Sequence, residues 1–338
     1  MNQQNLSSIY VFIMICCIAT IPSISSDIFV PSIPAISEHF SVSIDQVQLI
    51  ISVLMCSFAF SQLIYGPVSA AYGRKLPLCF GLTMVLVGTG ICAYAKSISM
   101  LTLGHILEGI GLGGCSLFRA MLRDCYDGEE LSQKSAYANM LTTLFYPAAP
   151  MIGGYLQVFF GWRANFVFLS LLSLAALTMV LSSPETNMNR NPDQLRPEYI
   201  SRVYLLLLTH NSFVGYCLCI MLAMMGYFSW IMAIPLYVIK HLNHSPDDVG
   251  VMMLIISSTS ILLGGAVNNQ LIRRYPTNNI LSSAWNYLLA LSILPLVCYF
   301  QLGFSAYWIY ECMWIYLFTT AFLWSNLYAK AFAPFQHL

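Results

Sequence analysis

Four ionisable side chains stand inside long apolar runs of this 338-residue sequence: Asp27, His105, Glu108 and Glu311. A charge at bilayer depth costs about 2.5–3.5 kcal/mol on insertion scales, so each needs a cavity, a partner or a neutral form. Asp27 precedes Pro31 and Pro34, whose rings weaken the helical ladder and can expose carbonyls to a central cavity. At such a place protonation and pairing with a cation are alternative ways of removing one buried charge, so proton and cation compete for it. The other reading is an interfacial aspartate capping a half-helix. His105 and Glu108 share one helical face at a spacing that lets them pair, either as a proton relay or as a self-neutralising couple. Glu311, among Tyr307, Trp308, Tyr310 and Trp314, suits a cationic ligand in an aromatic surround. It also suits an outer interface, where tryptophan and tyrosine gather. Tyr227 and Trp230, close to Met221, Met224, Met225 and Met232, read as an adaptable cavity wall or as ordinary helix packing.

The elements that must position these groups follow from composition. The chain is 58% apolar and 8% charged, with 14 Lys+Arg against 14 Asp+Glu, whereas soluble domains run near ~45–50% and ~25%. That places it in a bilayer and excludes a water-soluble enzyme, a disordered chain and a nucleic-acid binder. Apolar runs predict ten spans, at about 8–35, 46–66, 76–95, 98–119, 134–158, 163–182, 212–238, 248–269, 280–302 and 305–328. The polar stretch with Pro184, Pro192 and Pro197 is too proline-rich for one helix and reads as a linker. The expected organisation is therefore an N-terminal six-helix bundle over 1–182, a cytoplasmic linker over 183–211 and a four-helix bundle over 212–338. With the N-terminus in the cytoplasm, only Lys96, Arg163 and Lys240 of the fourteen basic residues fall outside, the expected positive-inside bias. The eleven cysteines lie almost all in apolar runs without C-x-x-C pairs beside histidines, which argues against a zinc site or a disulfide framework. No Walker sequence, H-E-x-x-H or G-x-S-x-G occurs, so neither nucleotide-driven work nor an enzyme is expected. Gly109, Gly111, Gly113 and Gly114 read as small residues for close helix packing.

Several segments carry a family resemblance. Gly66-Pro67-Val68-Ser69-Ala70-Ala71-Tyr72-Gly73-Arg74-Lys75 is a tight loop whose glycines serve backbone angles and close approach, and whose Arg74 and Lys75 can meet helix C-termini or headgroups. It resembles the 2–3 loop of the major facilitator superfamily. Asp27-Ile28-Phe29-Val30-Pro31-Ser32-Ile33-Pro34, the segment Leu101–Gly114, and Pro150-Met151-Ile152-Gly153-Gly154-Tyr155 followed by Gly161-Trp162-Arg163 resemble the first-, fourth- and fifth-helix motifs of its bicyclomycin/chloramphenicol-resistance (Bcr/CflA) drug:proton antiporters. The resemblance implies an all-α polytopic membrane protein of the major facilitator fold, with six N-terminal helices and an incomplete, four-helix C-terminal half. It implies a proton-coupled drug exporter of the bacterial inner membrane working by alternating access. Asp27, His105 and Glu108 would couple proton and substrate, Gly66, Gly73, Arg74 and Lys75 would form a gating loop, and Pro150, Gly153 and Gly154 a helix bend. The bend would pack on the eighth span, against the small residues Ser257, Ser258 and Ser260 through Gly265. Expected partners are protons, lipid and a small cationic or amphipathic drug, with a proton gradient in place of any cofactor and no nucleic acid. A metabolite transporter of the same fold, or a truncated non-transporting remnant that self-associates through its C-terminal half, are the alternatives. Two departures stand out: Ala70 replaces the family's acidic loop residue, and His105 falls where the family has Arg.

Overall fold

The computed structural model describes residues 3–188, 190–241, 244–302 and 306–332. The chain is helical from end to end of the described residues: α1 (Gln3–Asp27), α2 (Ile33–Phe40), α3 (Ile44–Tyr72), α4 (Lys75–Ala93), α5 (Ile98–Cys115), α6 (Phe118–Cys125), α7 (Gly128–Phe160), α8 (Arg163–Ser182), α9 (Pro197–Thr209), α10 (Asn211–His241), α11 (Pro246–Leu271), α12 (Thr277–Leu302) and α13 (Ala306–Phe332). Residues 333–338 and the side chains of Tyr307 and Trp308 lie outside what is described.

Among the described residues, seven helical segments are long and apolar enough to cross a bilayer, the first being Ile9–Phe40 and the last Pro246–Leu271. The ten-span expectation includes three more, and α7, α12 and α13 have the length, at 33, 26 and 27 residues, without being among those seven. Two of the expected spans are interrupted. The first is broken after Asp27, where a 3-10 turn Val30–Ser32 follows and Pro31 and Pro34 remove backbone donors. The fourth is broken between α5 and α6, near Ser116 and Leu117.

The chain forms two compact units, Met1–Ile200 with Ser245–Gly250, and Ser201–His244 with Val251–Leu338. In the first, α1, α3, α4, α5, α7 and α8 pack round a core that includes Met14, Ile18, Leu54, Leu82, Val85 and Leu112. In the second, α10, α12 and α13 share a core of Ala223, Ile280, Ala284, Leu288, Leu323 and Leu327. The predicted linker is more ordered than its prolines suggest: Pro197 opens a 13-residue helix, a first-turn position where its missing N–H costs nothing.

Helix α5 is held between α3 and α4 by glycines on two faces. Toward α4, a Cβ on Gly88 would stand 2.6 Å from the backbone nitrogen of Glu108 and from the Gly104 carbonyl oxygen, and one on Gly111 would meet the Gly81 carbonyl and Val85. Toward α3, Gly109 abuts the Leu54 carbonyl and Ser57, and Gly113 abuts Ser61 and Tyr65. Backbones this close are what small residues permit in membrane helix pairs, as the glycine run predicts.

Candidate functional site

The polar centre of the first unit is built where α1 ends. Asp27 is the last residue of α1 and is fully buried. Two residues earlier, Ser25 donates its hydroxyl to Glu108 Oε1 on α5, both side chains being 1% exposed. One turn away on α5, His105 Nδ1 lies 2.9 Å from the Leu101 carbonyl oxygen. A carbonyl only accepts, so Nδ1 carries the proton and Nε2 the lone pair. Cys92 of α4 places Sγ 3.3 Å from the same Nδ1, and Gly104 leaves the room for that sulfur. Phe29, just beyond Asp27, and Phe166 of α8 meet the His105 ring edge-on, with centroids 5.0 and 5.4 Å away.

Two expectations change here. His105 and Glu108 share a face, but they do not pair with each other. His105 is engaged by α4 and its own helix, Glu108 by α1, because close α4–α5 packing and the α1 terminus offer each a nearer partner. Cys92, Ser25, Phe29 and Phe166 are neighbours that sequence reasoning did not assign to the site. A heptad-like spacing of Gly81 and Gly88 on α4, facing Gly104 and Gly111 on α5, was the available signal for Cys92.

The Pro150 stretch of α7, which continues as one helix from Gly128 to Phe160, belongs to the same region. Pro150 is buried within α7. A Cβ on Gly153 would run into the Ile28 carbonyl, with the Ile28 carbonyl carbon only 2.7 Å off. Gly153 is thus glycine because the backbone just after Asp27 presses against it. Gly154 faces Pro246 and Asp247, and Gly250 faces Pro150 and Met151. Within the second unit, Gly264 packs on Phe318 and Ala321 of α13.

The loop between α3 and α4 is a tight knot with the segment after α8. Gly73 has φ +98°, and a Cβ there would collide with the Glu185 carboxyl, so both conformation and space require glycine. Gly66 does not share that role. It lies inside α3 rather than in the turn, with open space where its Cβ would be. Arg74 Nε donates to Asp124 Oδ2 at 2.8 Å, and Nη1 to Ser69 Oγ at 2.8 Å. Lys75 Nζ meets the carbonyls of Leu181 and Ser183 at 2.8 and 2.7 Å, so it covers the C-terminus of α8. Glu185 accepts from the backbone N–H of Arg74 and Lys75 at 2.7 and 3.1 Å and so caps α4 from another part of the chain. Burial works to raise the Glu185 carboxyl, but N–H bonds from Asn187, Arg74, Lys75 and Thr186 outweigh it and hold the group below the usual carboxylate range.

In the second unit Tyr227 and Trp230 are half-buried on α10, whereas Glu311 on α13 is exposed. Nearby aromatics use their polar atoms on α11, Trp314 Nε1 donating to Thr259 Oγ1 at 2.9 Å and Tyr310 reaching Met252 sulfur at 3.2 Å. Glu311 itself lies on an exposed side of α13 beside these aromatics.

A family model described as Major Facilitator Superfamily matches residues 15–337. The chain belongs to the Major Facilitator Superfamily. A relative from Haemophilus influenzae named bicyclomycin resistance protein homolog is 30% identical over 236 residues, which cover 69% of this chain and 59% of that protein. Multidrug resistance protein D of Escherichia coli is 26% identical over 187 residues, covering 55% of this chain and 47% of that one. The chain thus spans less than two thirds of either relative's length. These relatives agree with the Bcr/CflA-type resemblance. Among solved structures, that of a D-xylose-proton symporter superposes with a TM-score of 0.69 at 13% identity over 96% of this chain and 86% of the other, a likeness of fold alone. The all-helical architecture is that of this superfamily, and the chain is a multi-pass membrane protein by family.

Proposed function

We propose that the chain works as a proton-coupled exporter of small cationic or amphipathic compounds, by alternating access, in a bacterial inner membrane with its N-terminus in the cytoplasm. One observation carries the reading: a fully buried carboxylate, Asp27, ends α1 at a proline-weakened break, with Gly153 of α7 set against the next residue. A carboxylate without water is tolerated when protonated or when paired with a cation. Moving the α1 break relative to α7 would change its access, so proton and substrate would take turns at one acid. Glu108, tied through Ser25 to the same end of α1, is the second acid of that path. The names of the curated relatives favour drugs over sugars as cargo. The energy comes from the proton gradient, and no cofactor takes part.

The test is efflux of a fluorescent cation from cells lacking their own pumps, with expression checked by blot. Efflux that an uncoupler abolishes, and that Asp27→Asn loses at equal expression, is the expected result. Efflux unchanged in Asp27→Asn, or indifferent to the uncoupler, would refute the coupling role. Uptake or export of a sugar or amino acid by the same cells, with no drug efflux, would point to the metabolite reading.

A further inference from the structure

The geometry points to a binding site for a thiophilic divalent cation of the zinc type at Cys92, His105 and Glu108. This does not rest on the export reading, and an ion held there would keep Glu108 from serving as the second acid until it leaves. Cys92 Sγ, a His105 ring nitrogen and a Glu108 carboxylate oxygen lie within 4.8 Å of one another, and the three side chains are 0%, 1% and 1% exposed. Thiolate, imidazole and carboxylate together suit Zn²⁺, while Mg²⁺ and Ca²⁺ demand all-oxygen shells. Tetrahedral bonds of about 2.0–2.3 Å hold ligand atoms about 3.3–3.6 Å apart, so modest side-chain adjustments would close the site.

Two further observations favour a ligand. His105 Nε2 and Glu108 Oε2 are buried without a hydrogen-bond partner, although buried polar atoms are satisfied as a rule. Their companion atoms are already engaged, Nδ1–H by the Leu101 carbonyl on the side that also faces Cys92 Sγ at 3.3 Å, and Oε1 by the Ser25 hydroxyl, so binding through Nε2 requires the Cys92 side chain to turn along the ring edge. Metal-binding histidines and carboxylates are oriented in this way, one atom fixed by a neighbour and the other aimed at the ion. Charge also balances. A dication with one thiolate, one carboxylate and a neutral imidazole is neutral overall, which the apolar ring of Phe29 and Phe166 demands. Loading releases the thiol proton and any carboxyl proton. The ion would bridge α4 to α5 and, through Ser25, fix the end of α1.

The test uses the full chain, supplied with Zn²⁺ during expression and purified in detergent, with X-ray absorption and metal analysis as readouts. One zinc per chain with a single sulfur at about 2.3 Å and the remaining ligands N or O is expected. Cys92→Ser should lose the sulfur shell, and Cys115→Ser, altering another buried thiol, should keep it. His105→Gln should lower Zn²⁺ affinity at least tenfold, and Mg²⁺ in excess should not displace the ion. A shell without sulfur in the unmutated chain, or a sulfur that survives Cys92→Ser, overturns the proposal whatever the fate of the variants' folding.

Discussion

Two glycines two residues apart on α4 should respond to alanine in opposite directions. A Cβ on Gly88 would stand 2.6 Å from Glu108 N and Gly104 O and 3.0 Å from Glu108 Cα, while one on Gly90 meets nothing within 4 Å. Comfortable contacts begin near ~3.5 Å, so Gly88→Ala must drive α5 away from α4 by about 1 Å, a gap that forfeits roughly a quarter to a half of each contact's dispersion energy. The obstacles are backbone atoms, which cannot rotate aside. Overpacking of this kind costs about 1–3 kcal/mol, a fall of roughly 2–8 °C in melting temperature. Gly90→Ala carries no clash and gains about 0.5–1 kcal/mol from the lost freedom of glycine. A thiol-reactive fluorescent dye can follow unfolding, because Cys16, Cys92 and Cys115 are buried and free. The shift also moves Glu108 relative to Ser25, so Gly88→Ala should reduce transport by more than the lost stability explains. Equal melting points for the two variants, or a Gly90→Ala as damaged as Gly88→Ala, would refute the close-packing argument.

The other predictions concern single contacts. Ser25→Ala should destabilise the chain by about 1–3 kcal/mol, because it leaves a buried Glu108 oxygen without its donor; Ser25→Thr should restore most of it in the same melting assay. In the knot between α3 and α4, Arg74→Ala and Asp124→Asn should each lower the melting point. Their double mutant should cost less than the sum, with a coupling of about 1–3 kcal/mol for a hydrogen-bonded pair that is only 14% and 17% exposed; strict additivity would mean the pair contributes nothing. Glu185 gives a pH prediction. Its folded form ionises below the usual carboxylate value, so its stabilisation is full above that value and disappears as pH falls through the lowered one. Melting points measured downward from pH 5 should therefore drop more steeply in the unmutated chain than in Glu185→Gln, and parallel curves would remove Glu185 from the account.

What could be read in advance divides along a physical line. Helix periodicity, proline breaks and buried charge are local properties, so seven of the ten expected spans, the break after Asp27 and the packing role of the α5 glycines were legible from neighbours in sequence. Partnerships were not. Ser25 meets Glu108 and Arg74 meets Asp124 across separations of 83 and 50 residues, and no local pattern fixes which helices become adjacent. The error about His105 and Glu108 shows the limit. A shared helical face makes a pair possible, but a helix packed on two sides offers each side chain a competing partner, and the closer one wins. Gly66 fails for a related reason, since a glycine ahead of a turn motif looks like part of the turn until the helix is seen to continue to Tyr72.

The same knot shows how the loss of an acidic residue at Ala70 is met. The resemblance gives that residue a part in locking the outward- or inward-facing state through a charge relay; the loop itself is held here from the segment after α8. Asn191 N donates to the Ala70 carbonyl at 3.0 Å, and the Asn187 amide reaches the Ser69 and Ala70 carbonyls at 3.4 and 3.5 Å. These bonds use the backbone of residue 70, so they do not depend on its side chain, and Glu185 supplies the anion at the start of α4. A carboxylate placed back at position 70 should therefore add little. Ala70→Asp is expected to leave the melting point within about 0.5 kcal/mol of the starting chain, as for an ordinary surface change. A rise of several degrees, or a sharp gain in transport, would show that the strap from Glu185 to Asn191 is an incomplete substitute for the missing charge.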